Sequence, residues 1–426
     1  MISSRSRTPL RLAGALVVAL GLLVISPGAA SPVPPRVVFA TSAEGSGDLG
    51  SWPEADFGTI GLAAADSICR NLATGVLDDA QDFVAWVSDS SDDAYCRIHG
   101  LTGKKEDDCG QPSLPDSAGP WVRTDGHPFA PTIDRLLSPS NEVYAAIQYD
   151  ENGQLVGGDN VFAGTFVNGA AAAELCTDPL TLLDWTSDSG SVTGRYGSTY
   201  HGSATWTSDF VGFCDFPQRL FCFQKGAGGP LPPFPQSGKR AFVSSALGPG
   251  DLGSWPQAAG GTTGVAAGDS ICQSLAAAAS LPVPSAFRVW LSDGTVDAID
   301  RFLDPGPWVR ADGVVVFPSR DDLATFGLFS ALNVAETGSY VTGGRVWTGT
   351  ASSGLAAGDR CGEWLVGTSA ADGQVGLPTI LSPGWTQNQV RACDGSNRLY
   401  CLSVADGVFG DGFESGDVSA WSAAAP

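Results

Sequence analysis

Gly47-Asp48-Leu49-Gly50-Ser51-Trp52-Pro53 returns as Gly250-Asp251-Leu252-Gly253-Ser254-Trp255-Pro256, 203 residues further along the chain. It is the first of an ordered series. Ala64-Ala65-Asp66-Ser67-Ile68-Cys69 matches Ala267-Gly268-Asp269-Ser270-Ile271-Cys272, and Trp86-Val87-Ser88-Asp89 matches Trp290-Leu291-Ser292-Asp293. Gly119-Pro120-Trp121-Val122-Arg123-Thr124-Asp125-Gly126 matches Gly306-Pro307-Trp308-Val309-Arg310-Ala311-Asp312-Gly313. Phe162-Ala163-Gly164-Thr165 matches Trp347-Thr348-Gly349-Thr350, and Arg219-Leu220-Phe221-Cys222 matches Arg398-Leu399-Tyr400-Cys401. So many anchors in one order mark an internal duplication.

Working outward, the two copies span residues 36–225 and 239–405, with a Gly/Pro-rich linker over 226–238 (GAGGPLPPFPQSG) that favours extended coil. The offset between anchors falls from about 204 to 187 between Trp86 and Trp121, so the first copy carries an insertion, read as residues 90–117. Each copy opens on a strand (36–41; 240–244). An Ala-rich helix then carries its first cysteine (63–72; 266–278), and a strand of alternating residues closes the copy. With 55 Gly and 28 Pro in 426 residues, a loop-rich protein is expected.

Residues 1–30 read as a signal peptide: Arg5, Arg7 and Arg11, an apolar run from Ala13 to Ile25, and small residues at the cut expected after Ala30. Removing them takes the net charge from −22 to −25. Such an acidic chain lacks the positive footprint that nucleic acid requires and is not drawn to anionic lipid. No later apolar run is long enough for a membrane span, so a secreted or surface-held monomer without membrane insertion is expected.

All ten cysteines follow the cut, as a disulfide framework in an oxidising compartment requires. Four are shared by each copy, which permits three connectivities. The first sits on the helix and the last on the closing strand, and a compact unit with adjacent ends brings these together. The expected pairs are therefore Cys69–Cys222 with Cys176–Cys214, and Cys272–Cys401 with Cys361–Cys393, leaving Cys96–Cys109 to close the insertion.

This order of Gly-Asp-Leu-Gly, Ala-Asp-Ser-Ile-Cys, Trp-Val/Leu-Ser-Asp, Trp-Val-Arg-x-Asp-Gly and Arg-Leu-Phe/Tyr-Cys resembles the secreted bacterial family DUF1554, which includes the leptospiral endostatin-like proteins. The resemblance covers most of residues 36–403. It implies an α+β chain of two tandem C-type-lectin-like domains, disulfide-stapled, with antiparallel sheets and short helices. It also implies non-catalytic adhesion to extracellular protein or glycan ligands. Two modules in tandem raise avidity when both engage one surface.

In that fold the ligand loop precedes the third cysteine, which here reads Trp206-Thr207-Ser208-Asp209 and Trp385-Thr386-Gln387-Asn388. Trp206, Asp209, Trp385 and Asn388 are thus the candidate ligand contacts, while the other recurrent tryptophans (52/255, 86/290, 121/308) read as core. One alternative is a calcium-dependent carbohydrate-binding lectin. The Glu-Pro-Asn, Gln-Pro-Asp and Trp-Asn-Asp triplets of calcium-dependent sugar binding are absent, however, and no cofactor is expected. Calcium could also sit on Asp89, Asp92, Asp93, Glu106, Asp107 and Asp108 of the insertion, which otherwise read as a solvated loop.

His99, His127 and His201 are too scattered for a zinc site and read as surface residues. A secreted hydrolase is the other alternative. Asp125/Asp312 and Glu151/Glu336 recur and offer a carboxylate pair, but no nucleophile elbow, HExxH helix or phosphate loop appears, so no enzyme is expected. Arg123 and Arg310 are placed to pair with Asp125 and Asp312. The acidic, aromatic tail over 406–426 resembles the C-terminal sorting segments of exported proteins.

Overall fold

The structure is a computed structural model that describes Met1 and residues 33–115, 117–158, 160–234, 238–324 and 328–406. The expected signal peptide and nearly all of the tail lie outside these. In the first copy the elements run β1 (Arg36–Ala40), α1 (Gly61–Ala73), β2 (Phe83–Ala85), α2 (Ala94–Ile98), β3 (Trp121–Arg123), β4 (Pro128–Ala130), α3 (Ile133–Leu136), β5 (Asn160–Phe162), β6 (Thr193–Ser198), β7 (Phe210–Phe213) and β8 (Arg219–Gln224). The second runs β9 (Lys239–Val243), α4 (Gly264–Ala278), β10 (Phe287–Val289), β11 (Trp308–Val309), β12 (Val315–Phe317), β13 (Val346–Trp347), α5 (Cys361–Trp364), β14 (Asp372–Gly376), β15 (Gln389–Ala392) and β16 (Tyr400–Asp406). The chain is α+β, with few helices, several sheets and five disulfides.

The strands pair alike in both copies. The first makes an eight-stranded sheet in the order β4-β3-β1-β8-β5-β6-β7, with β2 also on β8. The second makes β10-β16-β9-β11-β12 and β13-β14-β15, linked by a parallel bridge between Val346 and Arg398. Strand alternation splits each sheet between two cores. On one face Phe39, Phe83 and Cys222 meet Ala64, Ala65, Ile68 and Cys69 of α1, residues whose spacing gathers them on one side of the helix. On the other, Val38, Ala40, Phe221 and Phe223 pack on Trp86, Trp121 and Trp206.

The disulfides join Cys69 to Cys222 and Cys272 to Cys401, from helix to closing strand, and Cys176 to Cys214 and Cys361 to Cys393. These coincide with the pairs expected from adjacent ends. Cys96–Cys109 closes the insertion.

The insertion begins later than the anchors suggest. Arg97 Nη1 donates to the carbonyls of Ala85 (2.7 Å) and Val87 (2.5 Å), and its Nη2 meets Asp66. Arg301 does the same in the second copy, to Val289 O (2.6 Å) and Asp269 (2.6 Å). Residues as far as Ile98 therefore have counterparts, and the added chain lies between there and Gly119. Acids that precede it, in the shared part of the copy, hold the loop: Asp93 accepts from Lys105 N and Ala171 N, both at 2.8 Å. Asp89 accepts from Ser91 N (2.7 Å) and Asp92 N (2.6 Å).

The two copies are docked on each other, and the contacts at the centre are reciprocal. By strand register Tyr200, His201 and Gly202 occupy the places of Thr379, Ile380 and Leu381. Gly202 N donates to Thr379 O and Leu381 N to Tyr200 O, both at 2.8 Å, with His201 opposite Ile380 between them. Beside this centre Phe329 lies over the Arg123 guanidinium (5.0 Å), while Arg310 of the second copy reaches Val143 O of the first (3.4 Å). Ala146 of the first copy packs into the core of the second. The backbone pair at the centre is thus its own mirror, as at the axis of an isologous dimer interface, while the side chains around it differ.

Candidate functional site

Trp206 and Trp385 are core residues. Both are 1% exposed. Trp206 lies 5.1 Å from Trp86 between ring centroids, and Trp385 lies 5.1 Å from Trp290. The expectation that they contact ligand fails on a physical point: the polar residues beside them are internal hydrogen-bond partners. Thr207 Oγ1 accepts the Trp86 indole N–H (2.7 Å), and Thr386 Oγ1 that of Trp290 (2.9 Å). Gly197 and Gly376 let the backbone of each tryptophan close onto the sheet, since a Cβ there would collide with the Trp206 or Trp385 carbonyl.

Asp209 and Asn388 reach solvent. The Asn388 side-chain oxygen accepts from Gln389 (2.8 Å). Asp209 Oδ1 lies 3.8 Å from Nδ1 of His201. His201 is no surface histidine: its side chain is 18% exposed at the junction of the copies, and Nδ1 has no hydrogen-bond partner among the described residues. Burial pushes its pKa down, more than the Asp209 charge raises it. The unfolded chain therefore takes up this proton first, and stability falls as pH drops below about 6.5, the unperturbed histidine value. We expect the wild-type unfolding midpoint in urea to fall between pH 7.5 and pH 6, and the fall to shrink in His201→Phe. An equal fall in both would remove His201 as the cause.

The recurrent carboxylates are occupied within their own copies. Asp125 is held by Arg123 at 3.1 and 2.6 Å and Asp312 by Arg310 at 3.1 and 2.8 Å. Glu151 takes both Ser42 N (3.0 Å) and Ser42 Oγ, and Glu336 takes Ser245 N (2.9 Å) and Oγ. These are scaffolding bonds repeated in each copy.

The surface that stands out is lined by none of the residues singled out in the sequence, although Asp209 borders it. Strand β7 ends the strand order of the first sheet. Its Phe210 is 40% exposed and Phe213 49%, and Phe216 in the following turn is 56% exposed, high values for the most apolar ring. With Tyr196, Pro217 and Gln218 they line a groove of about 470 Å³. Tyr196 forms its floor, 5.1 Å from the Phe210 ring, with its hydroxyl donating to Phe213 O. Burial, with help from Asp215, pushes that hydroxyl's pKa up to about 12, so it remains a donor. Asp209 and Asp215 flank the phenylalanines in sequence, and both are exposed residues.

The chain matches no protein-family model and no curated protein. Meaning therefore comes from comparing its own two halves. In the second copy Gln389, Ala392 and Gly395 stand where Phe210, Phe213 and Phe216 stand, matched through Cys214 and Cys393. The shared scaffold folds without the aromatic cluster, so folding does not require it. Comparing the copies at β7 would have found it. Among the described residues no group of three or more His, Cys, Asp and Glu could hold a metal ion, and no helix is long and apolar enough to cross a membrane.

Proposed function

We propose that the protein is a secreted, non-catalytic binding protein of the lectin-like, DUF1554-like kind, and that the first copy grips an extended segment of an extracellular protein at the Phe210–Phe213–Phe216 groove. The carrying observation is three exposed phenylalanines on a sheet-end strand and the turn that follows it, present in one copy and missing from the other. Contiguous exposed apolar surface marks an interaction site. An end strand offers backbone groups to an added strand, and grooves beside it select side chains. The flanking Asp209 and Asp215, on a chain of net charge −22, favour a partner segment that mixes apolar and basic residues. Five disulfides suit the oxidising medium in which such a protein works.

The test is binding of immobilised protein to a panel of extracellular matrix proteins and glycans, with Phe213→Ser/Phe216→Ser as the control. We expect binding to a protein ligand, at least tenfold weaker in the double variant, with the unfolding midpoint unchanged. Wild type that binds no protein, or a double variant that binds equally well, overturns the reading. Binding to glycan alone, abolished by a calcium chelator, replaces it with the calcium-dependent lectin.

A further inference from the structure

Arg219 and Arg398 occupy one position in the two copies and are anchored alike. Arg219 Nη1 donates to Thr41 O (2.6 Å) and Ser42 O (2.8 Å), and Arg398 Nη1 to Ser244 O (2.7 Å) and Ser245 O (2.9 Å). Beyond this anchor they differ. In the first copy Arg219 Nη2 meets the carboxylate of Glu44 at 2.5 Å. In the second, Leu247 stands in the place of Glu44, one residue before the glycine (Gly45 or Gly248) that bridges to the residue preceding the arginine. Among the described residues no carboxylate pairs with Arg398. Glu336 acts on it from a distance but spends both oxygens on Ser245.

The guanidinium opens instead into a polar cavity of about 560 Å³, lined by Ser245, Thr337, Ser339, Tyr340, Thr342 and Arg398 itself. A second arginine adds to the field. Arg345, which replaces Asn160 of the first copy, sits beside it in the sheet, its carbonyl accepting Arg398 N at 2.9 Å. No described carboxylate pairs with Arg345 either. The chain has 45 acids to 23 bases, and most buried or half-buried arginines are matched to a carboxylate, so two unmatched neighbours stand apart.

We propose that this cavity binds a carboxylate-bearing sugar unit, with Arg398 Nη2 taking the ligand carboxylate in the place that Glu44 fills in the first copy. A fixed guanidinium with unused N–H groups recognises carboxylate geometry. The Thr337, Ser339 and Thr342 hydroxyls and the Gly343-Gly344 backbone suit a ligand rich in hydroxyls. The site is separate from the aromatic groove and does not depend on it.

The test is calorimetric titration of the full chain with sodium glucuronate at low salt, against glucose and against a short peptide with a free C-terminal carboxylate. The decisive variant is Leu247→Glu. Leu247 is 48% exposed, so the change rebuilds the ion pair of the first copy without disturbing the core. We expect glucuronate to bind wild type and Phe213→Ser/Phe216→Ser equally, at least tenfold more tightly than glucose, and Leu247→Glu at least tenfold more weakly. No glucuronate binding to wild type, unchanged binding to Leu247→Glu, or binding of the peptide in preference to the sugar acid overturns the proposal.

Discussion

Replacing Arg310 by Leu is expected to destabilise the protein by about 3–5 kcal/mol, the range for breaking a buried ion pair from one side. Arg310 is fully buried. Its guanidinium holds Asp312 through two nitrogens, and Nη1 donates to Ala331 O and Asn333 Oδ1, each at 2.8 Å. Asn333 in turn donates to Gly202 O of the other copy (3.1 Å), so the loss spreads from the second core into the junction. The cost comes mainly from what stays behind, a half-buried carboxylate with its cation gone and carbonyls left without their donor. Tyr340, which donates to Asp312 at 2.6 Å, is one neutral hydroxyl and cannot replace that charge. Removing Asp312 as well, in Arg310→Leu/Asp312→Leu, should recover part of the loss, because no uncompensated charge remains.

The pH profile supplies a second readout. Burial alone would raise the Asp312 carboxyl, but the Arg310 charge and the hydrogen bonds from Arg310 and Tyr340 outweigh it and hold the group below its ordinary value. A depressed native carboxyl stabilises the fold above the unfolded value of about 3.9, and that contribution fades as pH falls through the native value. Urea unfolding at pH 7 and pH 3 should therefore show a wild-type loss on acidification that narrows in the double Leu variant. A single variant within about 1 kcal/mol of wild type would show that the pair does not hold the core together.

The second large effect concerns the bridge that ties each copy's first helix to its last strand. Cys272→Ala/Cys401→Ala opens a loop of 129 residues, and Cys69→Ala/Cys222→Ala one of 153. Loss of such a native bridge costs about 2–5 kcal/mol, and chain entropy places long loops towards the upper end. Cys96–Cys109 spans only 13 residues, and its removal should cost less, about 3 kcal/mol at most on the same chain-entropy reasoning. The order of the three variants in chemical unfolding is the check. If the short bridge proved the most costly, the entropy of the unfolded chain would not be what governs these bridges.

Much of this framework is legible in the sequence because duplication reports packing twice. Trp52/Trp255, Trp86/Trp290 and Trp121/Trp308 read as core and are buried, and the Arg123–Asp125 and Arg310–Asp312 pairs form. Trp206 and Trp385 mislead because Thr and Ser neighbours look like a wet loop, and a sequence does not say which hydroxyls turn inward to receive an indole N–H. The start of the insertion is obscured because Arg97 and Arg301 do one job in segments that share few letters. The docking of the copies is hidden for a plainer reason. Its centre is backbone-to-backbone, between Tyr-His-Gly and Thr-Ile-Leu, and main-chain hydrogen bonds leave no mark in side-chain identity. The linker points instead to loosely tethered modules.

His201 facing Ile380 carries one last implication. In a true homodimer the residue on the symmetry axis must tolerate meeting itself, and a histidine there would set two imidazoles against each other. Fusing the halves into one polypeptide removes that constraint: imidazole can face a hydrocarbon side chain, and each half is free to specialise without spoiling the other. Joined covalently, the pair also stays assembled at any dilution, so its stability should not depend on protein concentration as that of a dimer does.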